Sequence, residues 1–286
     1  MARFNYKVTE MQQTTDVPEA SYGVLTRDRP DSGDEEAAEQ VRRLGYAVLD
    51  SGYGSVQLQA LSERFDQAHE RYLATWGMER LRGLNEHWTI RALLTHADAI
   101  FMDLAVTPAL LKVLRLLIEG KFILNQQNGI INPPGESYNQ GAWHRDLPYQ
   151  HFVSSRPLAV NALFCIDDFT KDNGSTFVLP ASHKMEAFPS AHYVKSNALQ
   201  VEARAGQFIL LDCMLFHSGG FNKSDRRRRA VNHVYNIPYF KQQIRLAGNI
   251  DKQKLTAEQR EILGLDYQEP GSIEEYLGVR QGRIAP

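Results

Sequence analysis

Apolar residues change their spacing near position 120, and the change divides the chain into two textures. Before it they recur at helical intervals. Leu58, Leu61, Phe65, Ala68 and Tyr72 fall three or four apart within 55–76, and Leu110, Leu111, Val113, Leu114 and Leu117 form a second run that Gly120 closes. Such spacing places one apolar stripe along an amphipathic helix. A shorter helix is predicted over 34–44, leading into a strand over 45–50. Beyond Gly120, the stretch KFILNQQNGIIN (121–132) reads as a long strand, stopped by Pro133, Pro134 and Gly135. Further strands are predicted over 158–166, 175–179, 207–211 and 229–237, separated by turn formers such as KDNG (171–174) and ARAG (203–206). One more helix is predicted over 256–264. Short strands with regular turns indicate a mainly β protein with α elements, a double-sheet jelly roll or barrel with a helical N-terminal part packed on it. Residues 1–33 are polar and rich in turn formers and read as a loosely ordered arm; residues 34–286 read as a single domain.

Composition narrows the function classes. The 286 residues are 43% hydrophobic, enough to bury a sizeable core. With 32 basic and 34 acidic residues the net charge is −2, which gives no electrostatic reason to expect nucleic acid or an anionic membrane as partner. No apolar run approaches the ~20 residues of a membrane span, and the first residues lack the apolar core of a secretory signal. The two cysteines, Cys165 and Cys213, lie in apolar runs and read as buried free thiols. A cytoplasmic protein acting on a small molecule is the expectation; the oligomeric state stays open.

The strongest local chemistry is Trp143-His144-Arg145-Asp146. Histidine and aspartate two apart on an extended segment point to one face, so an imidazole nitrogen and a carboxylate oxygen can meet one ion. By itself the pair also fits a hydrogen-bonded turn. His217 supplies a second imidazole, since it ends the apolar run GQFILLDCMLFH and precedes Ser218-Gly219-Gly220. Two histidines and a carboxylate leave open positions on an octahedral ion, the arrangement of non-haem Fe(II) oxygenases. Eleven residues past His217 lies Arg228, at the start of another apolar strand. Its planar guanidinium matches a carboxylate bidentately, as a co-substrate that chelates iron at one end and needs anchoring at the other requires. Taken alone, Arg228 is also one of four consecutive arginines in a basic turn.

With these residues in place, the chain resembles the phytanoyl-CoA dioxygenase family. WHRDLPYQ (143–150), DNGSTFVLPASHK (172–184) and FHSGGFNKSDRRRRAVNHVYN (216–236) carry the resemblance, which extends from about Gly120 to Tyr239. It implies a double-stranded β-helix, the jelly-roll core, with Fe(II), 2-oxoglutarate and O2. His144, Asp146 and His217 would be the metal ligands, and Arg228 would hold the far carboxylate of 2-oxoglutarate. Asn132, Asn161, Gln127 and Thr176 would be further co-substrate contacts, with a purely structural role in the sheet as the alternative for each. Family members often read His-Gly-Ser where this chain has His217-Ser218-Gly219, which leaves open which hydroxyl reaches the co-substrate. The carboxylate at Asp146 argues against halogenation, because halogenating relatives carry Gly or Ala there. The expected reaction is oxidation, foremost hydroxylation, of an unactivated C–H of a small-molecule metabolite, with release of succinate and CO2. Desaturation, epoxidation and ring closure are alternative outcomes of that chemistry. A cupin-like metal enzyme without a co-substrate and a binding protein on the same fold are the rival readings.

Elsewhere, His183 is expected to be structural, and His151 either lines the substrate mouth or sits in an ordinary loop. Only one of Asn232 and His233 can face the pocket. Asn85 and Arg91 either approach the substrate or serve as cap and ion pair. Tyr138, Trp143, Tyr149 and Phe216 lie near the expected iron, as pocket walls or as core.

Overall fold

A computed structural model describes Gly23 and residues 30–96 and 99–284. Of the expected N-terminal arm, most therefore lies outside the described residues. Its last part does not: Ser32 accepts from the Glu35 amide and caps helix α1 (Gly33–Leu44), whose first turn carries three acidic residues and whose last turn carries Arg42 and Arg43. That charge order suits the helix dipole. Gly45, at φ +89°, ends the helix, and a Cβ there would meet Leu215 at 2.5 Å and His183 at 2.8 Å. Only glycine makes that turn into β1 (Tyr46–Asp50).

The elements continue as α2 (Ser55–Trp76), α3 (Met78–Gly83), β2 (Thr89–Ile90), α4 (Ile100–Ala105), α5 (Pro108–Leu117), β3 (Ile123–Asn132), β4 (Ala159–Cys165), β5 (Thr176–Val178) and α6 (Ala191–Asn197). Then follow β6 (Leu199–Val201), β7 (Gln207–Asp212), β8 (His217–Gly219), β9 (Arg228–Asn236), α7 (Ala257–Ile262) and α8 (Ile273–Ile284). The long periodic helices and strands fall where the spacing predicts. The short pieces α3, α4, α6, β2, β6 and β8 were not predicted, because two to seven residues hold too little periodicity to show. Helix α8 was missed as well.

Two antiparallel sheets form the jelly roll. The larger has the order β1-β7-β4-β9-β3-β2 and the smaller β6-β5-β8. Alternation along the strands gives the large sheet two distinct faces. The outer face carries Ala47, Val160, Ala162, Phe164, Phe208, Leu210, Val231 and Tyr235, buried in one cluster with α1, α2, α4 and α5. The inner face carries Ile130, Cys165, Ile209, Leu211 and Ala230, packed with Val178 and Leu215 toward the small sheet. The register slips between Leu124 and Gln126, so the alternation of β3 is not continuous from its first residue. Among the described residues no helix is long and apolar enough to cross a membrane.

Candidate active site

The site is built where β8 meets the segment before β4. His144 and His217 exchange both backbone hydrogen bonds, at 2.9 and 3.0 Å, as an isolated antiparallel bridge. The Asp146 amide then donates to the Cys213 carbonyl at 2.9 Å, which holds the next turn of the segment in place. The two imidazoles end up with ring centroids 4.4 Å apart. The Asp146 Oδ1 atom lies 3.6 Å from His144 Nε2 and 3.7 Å from His217 Nε2. One ligand atom from each of the three residues lies within 4.8 Å of the others, close enough for one ion.

The surrounding hydrogen bonds leave the right atoms free. His144 Nδ1 donates to the Ala142 carbonyl at 2.7 Å, and His217 Nδ1 to the Leu215 carbonyl at 2.9 Å. Each imidazole is thereby held with its proton on Nδ1 and its lone pair on Nε2, facing Asp146. The Asn161 amide donates to Asp146 Oδ2 at 2.8 Å, so Oδ1 is the oxygen turned to both histidines. Burial works to raise the Asp146 carboxyl, but His217, His144 and Asn161 outweigh it and hold it at about 2. Burial also lowers His217, while at His144 the neighbouring Asp146 overcomes burial and raises it.

Arg228 opens β9 on the inner face, 3% exposed, directly across from Asn132 on β3. It forms no ion pair with any described carboxylate. Its Nη2 donates to the Tyr138 hydroxyl at 3.1 Å, its Cζ lies 3.9 Å from the centroid of the Phe169 ring, and its Nε is buried without a partner. An uncompensated buried guanidinium is costly, and an anionic ligand removes that cost. The three-residue cluster and this lone cation thus fit an iron and a dicarboxylate co-substrate: nitrogen and oxygen donors with free lone pairs at one place, an unpaired cation at another.

The other expected contacts are placed differently. Asn161 is brought to the site as the support of Asp146, and its Oδ1 remains buried without a partner. Asn132 spends its amide nitrogen on the carbonyls of Gly174 and Gly220, at 3.3 and 2.9 Å, and its Oδ1 is unpartnered. Thr176 is buried on the small sheet, cross-strand from Gly219 and on the face that carries Val178. Gln127 is a correction. It projects from the outer face, where its amide reaches the Phe101 carbonyl at 2.7 Å and His233 Nε2 at 2.9 Å, so the sheet itself separates it from the site. The structural role in the sheet, the alternative stated for it, is the one its contacts fit.

Of the pair left open, Asn232 faces inward and His233 outward. His183 is structural, with Nε2 bonded to the Arg42 carbonyl, and Arg91 forms a fork on Glu86. Trp143 stacks on Phe216, which meets Phe188; His151 bridges Phe188 and Tyr149, and Tyr149 stacks on Phe152. These rings run from the small sheet to a cavity of about 290 Å³ lined by Leu147, Pro148, Tyr149, Phe152, Leu158 and Phe240. Arg145, between the two expected ligands, was overlooked. Its guanidinium is buried and donates to the carbonyls of Gln150, Ser182, Met185 and Glu186, pinning the 182–186 segment beside the triad. Nothing in its local sequence marks it, since all four acceptors are backbone atoms.

Fold and site together define the class of 2-oxoglutarate-dependent non-haem iron dioxygenases, whose cofactors are Fe(II) and 2-oxoglutarate. The family model for phytanoyl-CoA dioxygenase (PhyH) matches residues 41–230, and the chain belongs to that family. An uncharacterized protein of Mycobacterium tuberculosis, Rv1501, is 30% identical over 250 residues, which is 85% of this chain and 90% of that protein. Dioxygenase af480 of Aspergillus fumigatus is 27% identical over 186 residues, covering 61% of this chain and 58% of the relative. Among solved structures, EctD from S. alaskensis with 2-oxoglutarate and 5-hydroxyectoine aligns with a TM-score of 0.58 at 21% identity, over 80% of this chain and 86% of that one. The epimerase SnoN in complex with Fe3+, alpha ketoglutarate and nogalamycin RO aligns at 0.56 and 20% identity, over 78% and 91%. At these identities the two structures share the fold.

Proposed function

We propose that this chain hydroxylates an unactivated C–H of a small-molecule metabolite, with iron held by His144, Asp146 and His217 and the far carboxylate of 2-oxoglutarate held by Arg228. The observation that carries the reading is the pairing of two Nε2 lone pairs and one carboxylate oxygen with a buried, unpaired arginine. Fe(II) and 2-oxoglutarate, when bound, supply the oxidising chemistry, with succinate and CO2 as co-products. The protein orients and shields. The Ala142 and Leu215 carbonyls fix both imidazoles, Asn161 holds Asp146 through one oxygen, and Arg228 neutralises the co-substrate's remote charge. Residues 34–286 act in this reading as one oxygenase domain.

The cavity lined by Leu147, which follows Asp146 in the chain, and by further apolar and aromatic side chains is the place this reading gives to an apolar part of the substrate. Both cysteines are free and buried, which supports a reducing, cytoplasmic setting. The test is anaerobic addition of Fe(II) and 2-oxoglutarate, which should produce a visible charge-transfer band in the wild type and none in His144→Ala. Identical behaviour of the two proteins would sink the assignment. A substrate screen that follows succinate, with mass spectrometry of the products, separates gain of one oxygen from loss of two hydrogens. Absence of succinate with every substrate turned over would favour the cupin-like alternative.

A further inference from the structure

Arg228 has one side-chain partner that hydrogen-bonds it, Tyr138, and that contact leaves a proton unaccounted for. A guanidinium only donates, so at 3.1 Å the phenol oxygen of Tyr138 is the acceptor. The phenol hydrogen then needs an acceptor of its own, and Tyr138 makes no second side-chain hydrogen bond to any described residue. Tyr138 is 8% exposed. Burial raises its hydroxyl, against the pull of Arg228, so it stays protonated at neutral pH. Two buried donors, the phenol O–H of Tyr138 and the Nε of Arg228, therefore lack a hydrogen-bond acceptor among the described residues. Such a deficit is what an anionic oxygen ligand corrects.

The backbone has been cleared to make this contact. Gly219 lies two residues past His217 on the same face of β8, and a Cβ built there would stand 1.9 Å from the Tyr138 hydroxyl oxygen. A side chain at 219 and the Tyr138 ring exclude each other. Ser218 offers no substitute. It points to the other face, where its hydroxyl is within 3.0 Å of the carbonyls of Gly141 and Gly219. The order Ser218-Gly219 thus turns the strand's own hydroxyl away from the interior and opens the inward position to a phenol from the loop before His144.

We propose that Tyr138 is a co-substrate-binding residue, its hydroxyl donating to the same far carboxylate of 2-oxoglutarate that Arg228 clamps, with Gly219 as the vacancy that admits it. The assignment rests on the reading of Arg228 given above, and the experiment is arranged so that the two can fail separately. Dissociation constants for 2-oxoglutarate are measured on the Fe(II)-loaded protein without oxygen, by titrating the charge-transfer band. Tyr138→Phe keeps the ring and removes the donor; it should raise the constant roughly ten- to hundredfold, the range for a hydrogen bond to a charged group. Gly219→Ala should move it in the same direction, because the added methyl displaces the phenol. Ser218→Ala should leave it at the wild-type value.

A second ligand separates binding from mere packing. 2-Oxobutyrate has the chelating end of 2-oxoglutarate and no far carboxylate, so Tyr138→Phe should bind it as wild type does. Equal weakening for both ligands would mean that Tyr138 only shapes the pocket, and would overturn the proposal. So would an unchanged 2-oxoglutarate constant in Tyr138→Phe while Arg228→Ala loses binding, or a loss in Ser218→Ala as large as that expected for Tyr138→Phe. An unchanged constant in Arg228→Ala would instead remove the clamp on which the proposal stands.

Discussion

The two faces of the large sheet treat buried polar groups in opposite ways. On the outer face His233 is fully buried and both ring nitrogens are used, Nδ1 donating to the Ala162 carbonyl at 3.0 Å and Nε2 accepting from Gln127. Arg229, one residue from Arg228 but on this outer face, is saturated by Asp167 and Asp66. On the inner face Arg228 meets no carboxylate, and Asn132, Asn161, Asn232 and Asn236 each keep at least one buried polar atom without a partner. Gln127 Oε1 is an outer-face exception. Two neighbouring arginines on one strand show the difference most plainly: Arg229 is completed by carboxylates of the protein, and Arg228 is left without one.

The largest contrast should come from Asp146→Ala. It removes the carboxylate ligand, so turnover should fall to background and iron should be absent from the purified protein by metal analysis. Thermal unfolding of the metal-free chain should stay near wild type; a collapse of the fold would mean that Asp146 belongs with the structural groups. Next is Arg228→Met. Anaerobic titration should show 2-oxoglutarate binding weaker by about a hundredfold or more, the consequence of losing a bidentate charged contact. The ligand-free protein should meanwhile gain about 1–3 kcal/mol in chemical denaturation, because a buried unpaired charge has gone. The equivalent change at Arg229 should do the reverse, lowering stability and sparing binding.

The outer face should reveal itself through acid. Burial lowers His233 to about 4, against the usual 6.5. The folded state therefore binds fewer protons than the unfolded chain between those values. Stability tied to His233 is complete above pH 6.5 and is lost as pH falls toward 4, by about 3 kcal/mol over the window. His233→Gln should flatten that part of the stability-against-pH curve measured by urea unfolding; an unchanged slope would show that His233 titrates normally. The smallest expected effect is on the inner face, at the support of Asp146. Asn161→Ala leaves the three ligands in place but frees Asp146 Oδ2, and iron affinity should fall about tenfold. No change in iron affinity would reduce Asn161 to a strand residue.

The local sequence already carried the pieces of the site that depend on short spacing. His144 and Asp146 are two apart, so an extended segment presents them together, and the apolar runs before His217 and after Arg228 announce β7, which stops at Asp212, and β9, which Arg228 begins. The jelly roll was legible for a similar reason, from short strands punctuated by turns. Gln127 and Asn132 lie five apart on an unbroken run of β3, so alternation puts them on opposite faces, and only the pairing with β9 and the packing of the sheet decide which face turns inward. Asn161 was recognised as near the site but not as the residue that holds Asp146, since the partner lies fifteen positions away across a loop.

What the sequence determined by itself was periodicity and chemistry: which long segments are helices or strands, that His144 and Asp146 share one extended segment, and that His217 follows and Arg228 opens an apolar strand. These follow from residues within a few positions of one another. Only the tertiary structure decided which face each strand turns inward, and so which polar groups are completed. Arg228 and Arg229 are the same residue type side by side. One meets Asp167 and Asp66 beneath the helices, the other meets Tyr138 in the space opened by Gly219, and their partners lie sixty or more residues distant. Register and packing fix those meetings, because hydrogen-bond partners are assigned by position in space and a strand's alternation reads the same in either phase.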